Sequence, residues 1–214
     1  MILTRHLRDP FNGLSHLLGA VLSIAALPYM LSQLPNEQFA LYLASYLVFG
    51  ISMFLMFSSS ALLHLMEISE AGIRALDRLD HMAIYIMIAG TYTPFCLLGL
   101  GGVQGWWLFG AAWSFAALGI IKKIFWLDAP RWFSTSLYLA MGWMGIFVFE
   151  PLSESLSSEA FTWLAVGGIS YSVGAIIYAI KWPNFSKSFG FHELWHLFVM
   201  IGAASHFVSV AIYL

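Results

Sequence analysis

Charge is what this sequence has least of. Asp, Glu, Lys and Arg make up 9% of its residues, against about a quarter in an ordinary soluble domain. That scarcity excludes a soluble globular protein whose surface meets water. Cysteine is limited to Cys96, so a disulfide within the chain is impossible and no oxidising compartment is implied. The nine Lys and Arg fall in short clusters rather than along one face, so nucleic acid is not an expected partner. Low-complexity segments, linkers and internal repeats of the transporter kind are also missing, which leaves a single domain over residues 1–214.

What remains is apolar. Hydrophobic residues account for 60% of the chain, and the mean hydropathy is +0.81. A hydrocarbon core about 30 Å thick needs roughly 20 apolar residues per helix. At that spacing the sequence divides into spans near 12–33, 39–65, 79–100, 105–122, 132–150, 160–180 and 192–213. Turn-formers separate them: Pro35 with Asn36, Gly99 to Gly102, Pro130, Pro151 with its Ser/Glu run, and Pro183 with Asn184. Pro28 and Pro94 fall inside spans, where a missing N–H predicts kinks. The expected fold is therefore all-α, a bundle of seven transmembrane helices. Arg5 and Arg8 before the first apolar stretch resemble a signal peptide, but the stretch is too long and holds Asn12 and His16. It reads as a retained first helix.

Charge tests the count, because cytoplasmic loops carry an excess of Lys and Arg. With seven spans, Arg5, Arg8, Arg74, Arg78, Lys122, Lys123, Arg131, Lys181 and Lys187 all fall on one side. The opposite loops hold only Glu37, Glu150, Glu154 and Glu159. One span more or fewer would scramble that segregation. The N-terminus is accordingly expected inside, the C-terminus outside, in a multi-pass protein of the plasma (inner) membrane. Trp106, Trp107, Trp126, Trp132, Trp163 and Trp182 mark the two interfaces. Gly110, Gly119, Gly142, Gly145, Gly167, Gly168 and Gly174 are expected to permit close helix packing. The mixed-charge stretch Met66 to Asp77 reads as a solvated loop in preference to a short surface helix.

Ionisable groups inside spans are costly and mark function. His64 closes the second span, Asp80 and His81 open the third, and His192, Glu193 and His196 open the seventh. All lie at the cytoplasmic end, level with Asn12 and His16 on the first helix, and Ser60 lies one turn from His64 on the same face. His192 and His196 are four apart, so their rings stack on one helical face and can share a cation. Zinc takes nitrogen ligands tetrahedrally, and a catalytic site keeps three protein ligands and an open position. His64 enters from another helix at matching depth and completes the three. Asp80 is then placed to hold or deprotonate water in the open position, and Ser60 to add a hydrogen bond. A histidine at a helix end is more simply an interfacial group satisfied by water or backbone, the reading preferred for His16 and His81. His206 lies about 21 Å along a straight helix from His192, too far to share its metal, and is expected to be hydrogen-bonded inside the bundle. His192 to His196 also matches H-E-x-x-H, the motif of zinc proteases in which the glutamate is general base. At a helix start, however, Glu193 also suits the helix dipole.

Taken in order, residues 60–64 (SALLH), 79–81 (LDH), 90–95 (GTYTPF), 139–143 (LAMGW), 192–196 (HELWH) and 205–207 (SHF) resemble the bacterial hemolysin III proteins. These belong with the adiponectin and progestin receptors in the PAQR family, and residues 12–19 (NGLSHLLG) are similar to the family's first helix. The likeness spans essentially the whole chain. It implies a seven-helix bundle with a cytoplasmic N-terminus and a zinc site in the inner leaflet, with His64, His192 and His196 as ligands and Ser60 and Asp80 flanking the zinc water. It further implies lipid amide hydrolysis of the ceramidase type, as in the receptor branch, or a role in membrane lipid and fluidity homeostasis, with membrane lipids as partners. Three alternatives stand beside the hydrolase: a receptor or sensor with structural zinc, a pore-forming hemolysin, and an intramembrane zinc protease. Glu193 is not a fixed feature of the family's motif and carries no implied role.

Overall fold

The computed structural model describes residues 7–186 and 188–214. Arg5 and Lys187, two of the cations in the charge argument, lie outside the described residues. Every described element is helical, and seven helices are long and apolar enough to cross a membrane. They are α1 (Pro10–Ser32), α2 (Phe39–Leu65), α3 (Glu70–Pro94), α4 (Gly102–Phe125), a fifth span from α5 (Arg131–Gly142) to α6 (Phe149–Ser155), α7 (Ser158–Ile180) and α8 (Phe191–Tyr213). The chain is thus a multi-pass membrane protein, as its apolar spacing requires.

Consecutive helices pack as antiparallel neighbours, α1 on α2, α2 on α3, α3 on α4 and α7 on α8. Short connections enforce this order. The last helix returns to the first, and α5 reaches both α3 and α7, so the spans form a ring. Between α2, α3 and α8 the core is filled by Phe49, Met53, Phe57, Met87, Phe95 and Val199. Small residues let the helices approach. A Cβ on Gly119 would overlap the Tyr85 ring, one on Gly167 the His206 ring, and one on Gly174 the Phe198 side chain. Gly110, Gly142 and Gly168 face open space instead, so the packing role expected of them is not found. The interfacial tryptophans expected from sequence are all exposed.

At the third span one local feature departs from the sequence expectation and a second follows it, each for a physical reason. The stretch read as a loop before the third span is helical from Glu70, because the Ser69 hydroxyl accepts from Gly72 N–H at 3.3 Å and Glu70 sits against the positive helix end. Asp77, Asp80 and His81 therefore ride on one continuous helix. After Pro94, which has no N–H to donate, the backbone widens into a π-helical segment, Phe95–Leu100, closed by Gly101 N–H to Cys96 O at 2.9 Å. The α1 helix, by contrast, runs on through Pro28.

The fifth span is broken rather than continuous. Between Gly142 and Phe149 the chain tightens to a 3₁₀ turn, Met144–Val148, and Pro151 lies in the first turn of α6, where its missing N–H costs nothing. Tyr92 satisfies the groups this break frees: its hydroxyl donates to Gly142 O at 2.7 Å and accepts from Gly145 N–H at 3.0 Å. Backbone interruptions at membrane depth need such partners.

Candidate metal centre

The helix ends that carry Lys and Arg also carry the site. At the close of α2, His64 is buried; His192 and His196 occupy the first two turns of α8. One nitrogen from each of the three lies within 4.8 Å of the others. Ring centroids stand 5.2 Å apart for His64 and His192, 4.8 Å for His64 and His196, and 5.0 Å for His192 and His196. The predicted trio therefore converges on one point. Three imidazole nitrogens so grouped suit a borderline-soft cation such as zinc.

A carboxylate fixes the first ring. Asp9 Oδ2 lies 3.1 Å from His64 Nδ1, and Asp9 N–H donates to His64 O at 2.8 Å. Asp9 occupies the N-cap position of α1 but makes no capping bond with its side chain. Its carboxylate is spent on His64 instead, which puts the proton on Nδ1 and leaves Nε2 as the free lone pair. Burial alone would raise the Asp9 pKa, but His64 and Arg8 beside it outweigh this and hold the carboxyl below its usual range.

Other predicted residues sort clearly. Ser60 is buried on α2 and Asp80 half-buried on α3, and both line the same cavity as the three histidines. His81 also lines this cavity but is bound locally: its Nδ1 lies 2.8 Å from Asp77 O and 3.2 Å from the Asp77 carboxylate, the backbone satisfaction expected of it. His206 is hydrogen-bonded inside the bundle through one nitrogen, Nε2, to Leu164 O at 3.1 Å, while its Nδ1 has no partner. Both carboxylate oxygens of Glu193 are engaged, one by Gly190 N–H at 2.7 Å and one by Asn12 Nδ2 at 3.0 Å. A glutamate so used caps its helix.

His16 departs from expectation. It is not an interfacial group wetted by solvent but is 2% exposed, with its ring centroid 3.9 Å from that of His196. Sequence reasoning set it at the right depth and preferred the blander role, and it overlooked Asp9 altogether. For Asp9 the only signal was a carboxylate just before Pro10, which reads equally well as an ordinary helix cap.

From this cluster a cavity of about 680 Å³ runs into the bundle. Arg8, Asp9 and Asp80 stand near its basic end, and Leu108, Leu152 and Phe161 line its far part. Its walls in between are largely aliphatic and aromatic, as in sites that enclose an apolar ligand with a few polar groups.

Comparison with known proteins shows the family. Residues 4–207 match the family model described as Haemolysin-III related. The chain is 42% identical to the Hemolysin-3 homolog of Bacillus subtilis (strain 168), over 94% of this chain and 92% of that one. It is 41% identical to Hemolysin-3 of Bacillus cereus, over 94% and 90%. More distantly, it is 26% identical to the Monocyte to macrophage differentiation factor of Homo sapiens, over 78% of this chain and 69% of the human one. With seven spans, the match along nearly its whole length and the ordered motifs all in agreement, the chain belongs to the hemolysin III family.

Proposed function

We propose that His64, His192 and His196 hold zinc and that the protein hydrolyses an amide or ester bond of a membrane lipid, serving lipid or fluidity homeostasis. One observation carries this reading: three converging imidazoles stand at the polar end of a largely apolar cavity, with an acid, Asp80, on its wall. When bound, zinc supplies Lewis acidity and makes water nucleophilic near neutral pH. Asp80 is the group to take a proton from attacking water and return it to the leaving amine or alcohol. Ser60, buried beside the cluster, is placed to donate a hydrogen bond to the reacting oxygens. Aliphatic walls bind the acyl chain and exclude bulk water.

The test is metal content and turnover in detergent or nanodiscs, with fluorescent lipid amides and esters as substrates. Stoichiometric zinc, and a loss of hydrolysis in Asp80→Asn with zinc retained, are expected. Zinc retained in each of His64→Ala, His192→Ala and His196→Ala would sink the site. Hydrolysis indifferent to Asp80 would sink the enzyme.

A second reading, a sensor in which zinc is structural, draws on the packing. α8 packs chiefly against α7, and α2 against α1 and α3, with little contact between α2 and α8 themselves, so a metal shared by His64 and the α8 pair ties together two helices otherwise joined through α1. It predicts zinc-dependent stability without turnover. Neither a pore nor a protease gains comparable support: the cavity walls are largely apolar, and Glu193 is already engaged.

A further inference from the structure

Four buried polar atoms around His16 have no hydrogen-bond partner: Asn12 Oδ1, His16 Nδ1, His16 Nε2 and His196 Nδ1. Native proteins rarely leave such groups orphaned, so a cluster of them demands an explanation. In donor and acceptor type the four are complementary to one another, although no hydrogen bond joins them in this structure. A neutral imidazole offers one donor and one acceptor, and an amide oxygen accepts. His16 lies against His196 with 3.9 Å between centroids and the ring planes tilted by 42°, and Asn12 lies one turn before His16 on the same face of α1. The far end of the series is already anchored, because Asn12 Nδ2 donates to Glu193 Oε1 at 3.0 Å.

On the zinc reading above, we infer that His16 is a positioning residue for His196. The two rings make no hydrogen bond as they stand; rotated about their Cβ–Cγ bonds, one nitrogen of His16 accepts the Nδ1–H of His196 and the other donates to Asn12 Oδ1, whose amide is held by Glu193. Closing these two pairs satisfies all four atoms at once. It also sets the tautomer of His196, leaving Nε2 for the metal, as Asp9 does for His64. The opening turns of α1, with the residue before them, supply no ligand on this account yet orient two of the three. That gives Glu193 a second purpose besides its cap: it anchors the series to the same helix that carries the ligands.

Full-length protein with His16→Phe, His16→Gln or Asn12→Leu, purified in detergent, tests this by competition of zinc against a chromophoric chelator and by the visible absorption of bound Co²⁺. Phe keeps the edge contact that His16 makes with Phe57 at 5.1 Å but has no polar atom. His16→Phe is expected to weaken zinc binding about 10–100-fold, the usual cost of losing an outer partner, and to shift the Co²⁺ spectrum. His16→Gln, whose amide both donates and accepts, should recover most of the affinity. Asn12→Leu should weaken binding in the same direction by less, and it decides the matter if the Phe variant does not fold. Wild-type affinity and spectrum in His16→Phe or Asn12→Leu, or a Gln variant as weak as Phe, would overturn the inference. So would a four-nitrogen site in wild type that loses one nitrogen in His16→Gln, since His16 would then be a ligand. Wild-type protein that takes up no zinc would instead fail at the zinc reading itself, and the inference with it.

Discussion

His196 and His206 share helix α8, about 15 Å apart along its axis at 1.5 Å per residue. Both are enclosed, at 2% and 6% exposure, and both line the one cavity, but their polar neighbours differ. His206 meets a single carbonyl, that of Leu164, and otherwise the rings of Phe95 and Tyr171. His196 meets three other imidazoles, from α1, α2 and its own helix. Burial of a histidine in a membrane bundle is therefore no mark of function. Convergence is the mark, because several titratable rings in one place have no mutual satisfaction without a shared cation or proton network.

That contrast can be broken by experiment, with the largest effect at the cluster. His196→Ala is expected to lower zinc affinity by more than about 100-fold, beyond the range of any outer partner, as read by chelator competition. Asp80→Asn should leave zinc bound and cut lipid hydrolysis by about 10²–10⁴-fold, the usual contribution of a general acid or base. Removing zinc with a chelator should lower the thermal midpoint of the wild type and leave that of His64→Ala unmoved, which a fluorescence melt would show. His206→Leu should cost about 0.5–1.5 kcal/mol of stability, the worth of one hydrogen bond, with zinc content and Co²⁺ spectrum unchanged. Loss of metal in that variant would erase the distinction drawn here. Glu193→Gln should be the mildest, costing about 0.3–1 kcal/mol at the helix start. A fall in turnover of about 10²-fold or more there would instead mark Glu193 as a general base.

The two ends of the third span make a parallel point about legibility. Pro94 was visible as an interruption, and the backbone does change there to a π-helical segment. The start was misplaced, because the mixed charges from Met66 to Asp77 look soluble while the Ser69 cap and Glu70 begin the helix early. Hydropathy reports where lipid begins, not where a helix does. The fifth span shows the same limit: nothing in its composition marks the 3₁₀ turn, which depends on the Tyr92 hydroxyl arriving from α3.

By itself the sequence determined the number of spans, their order of charge and the common level of His16, His64, His192 and His196, since these follow from length, hydropathy and helical rise along one dimension. It also placed His192 and His196 on one face, because four residues make about one turn. The rotation of each helix about its axis was decided only in the tertiary structure. Three residues show this: His16 turned onto His196, Asp9 reaching past its own helix to His64, and Glu193 turned to the Gly190 N–H and Asn12. Depth can be counted from residues, but azimuth is set by which neighbours a helix packs against, and that is a property of the assembled bundle.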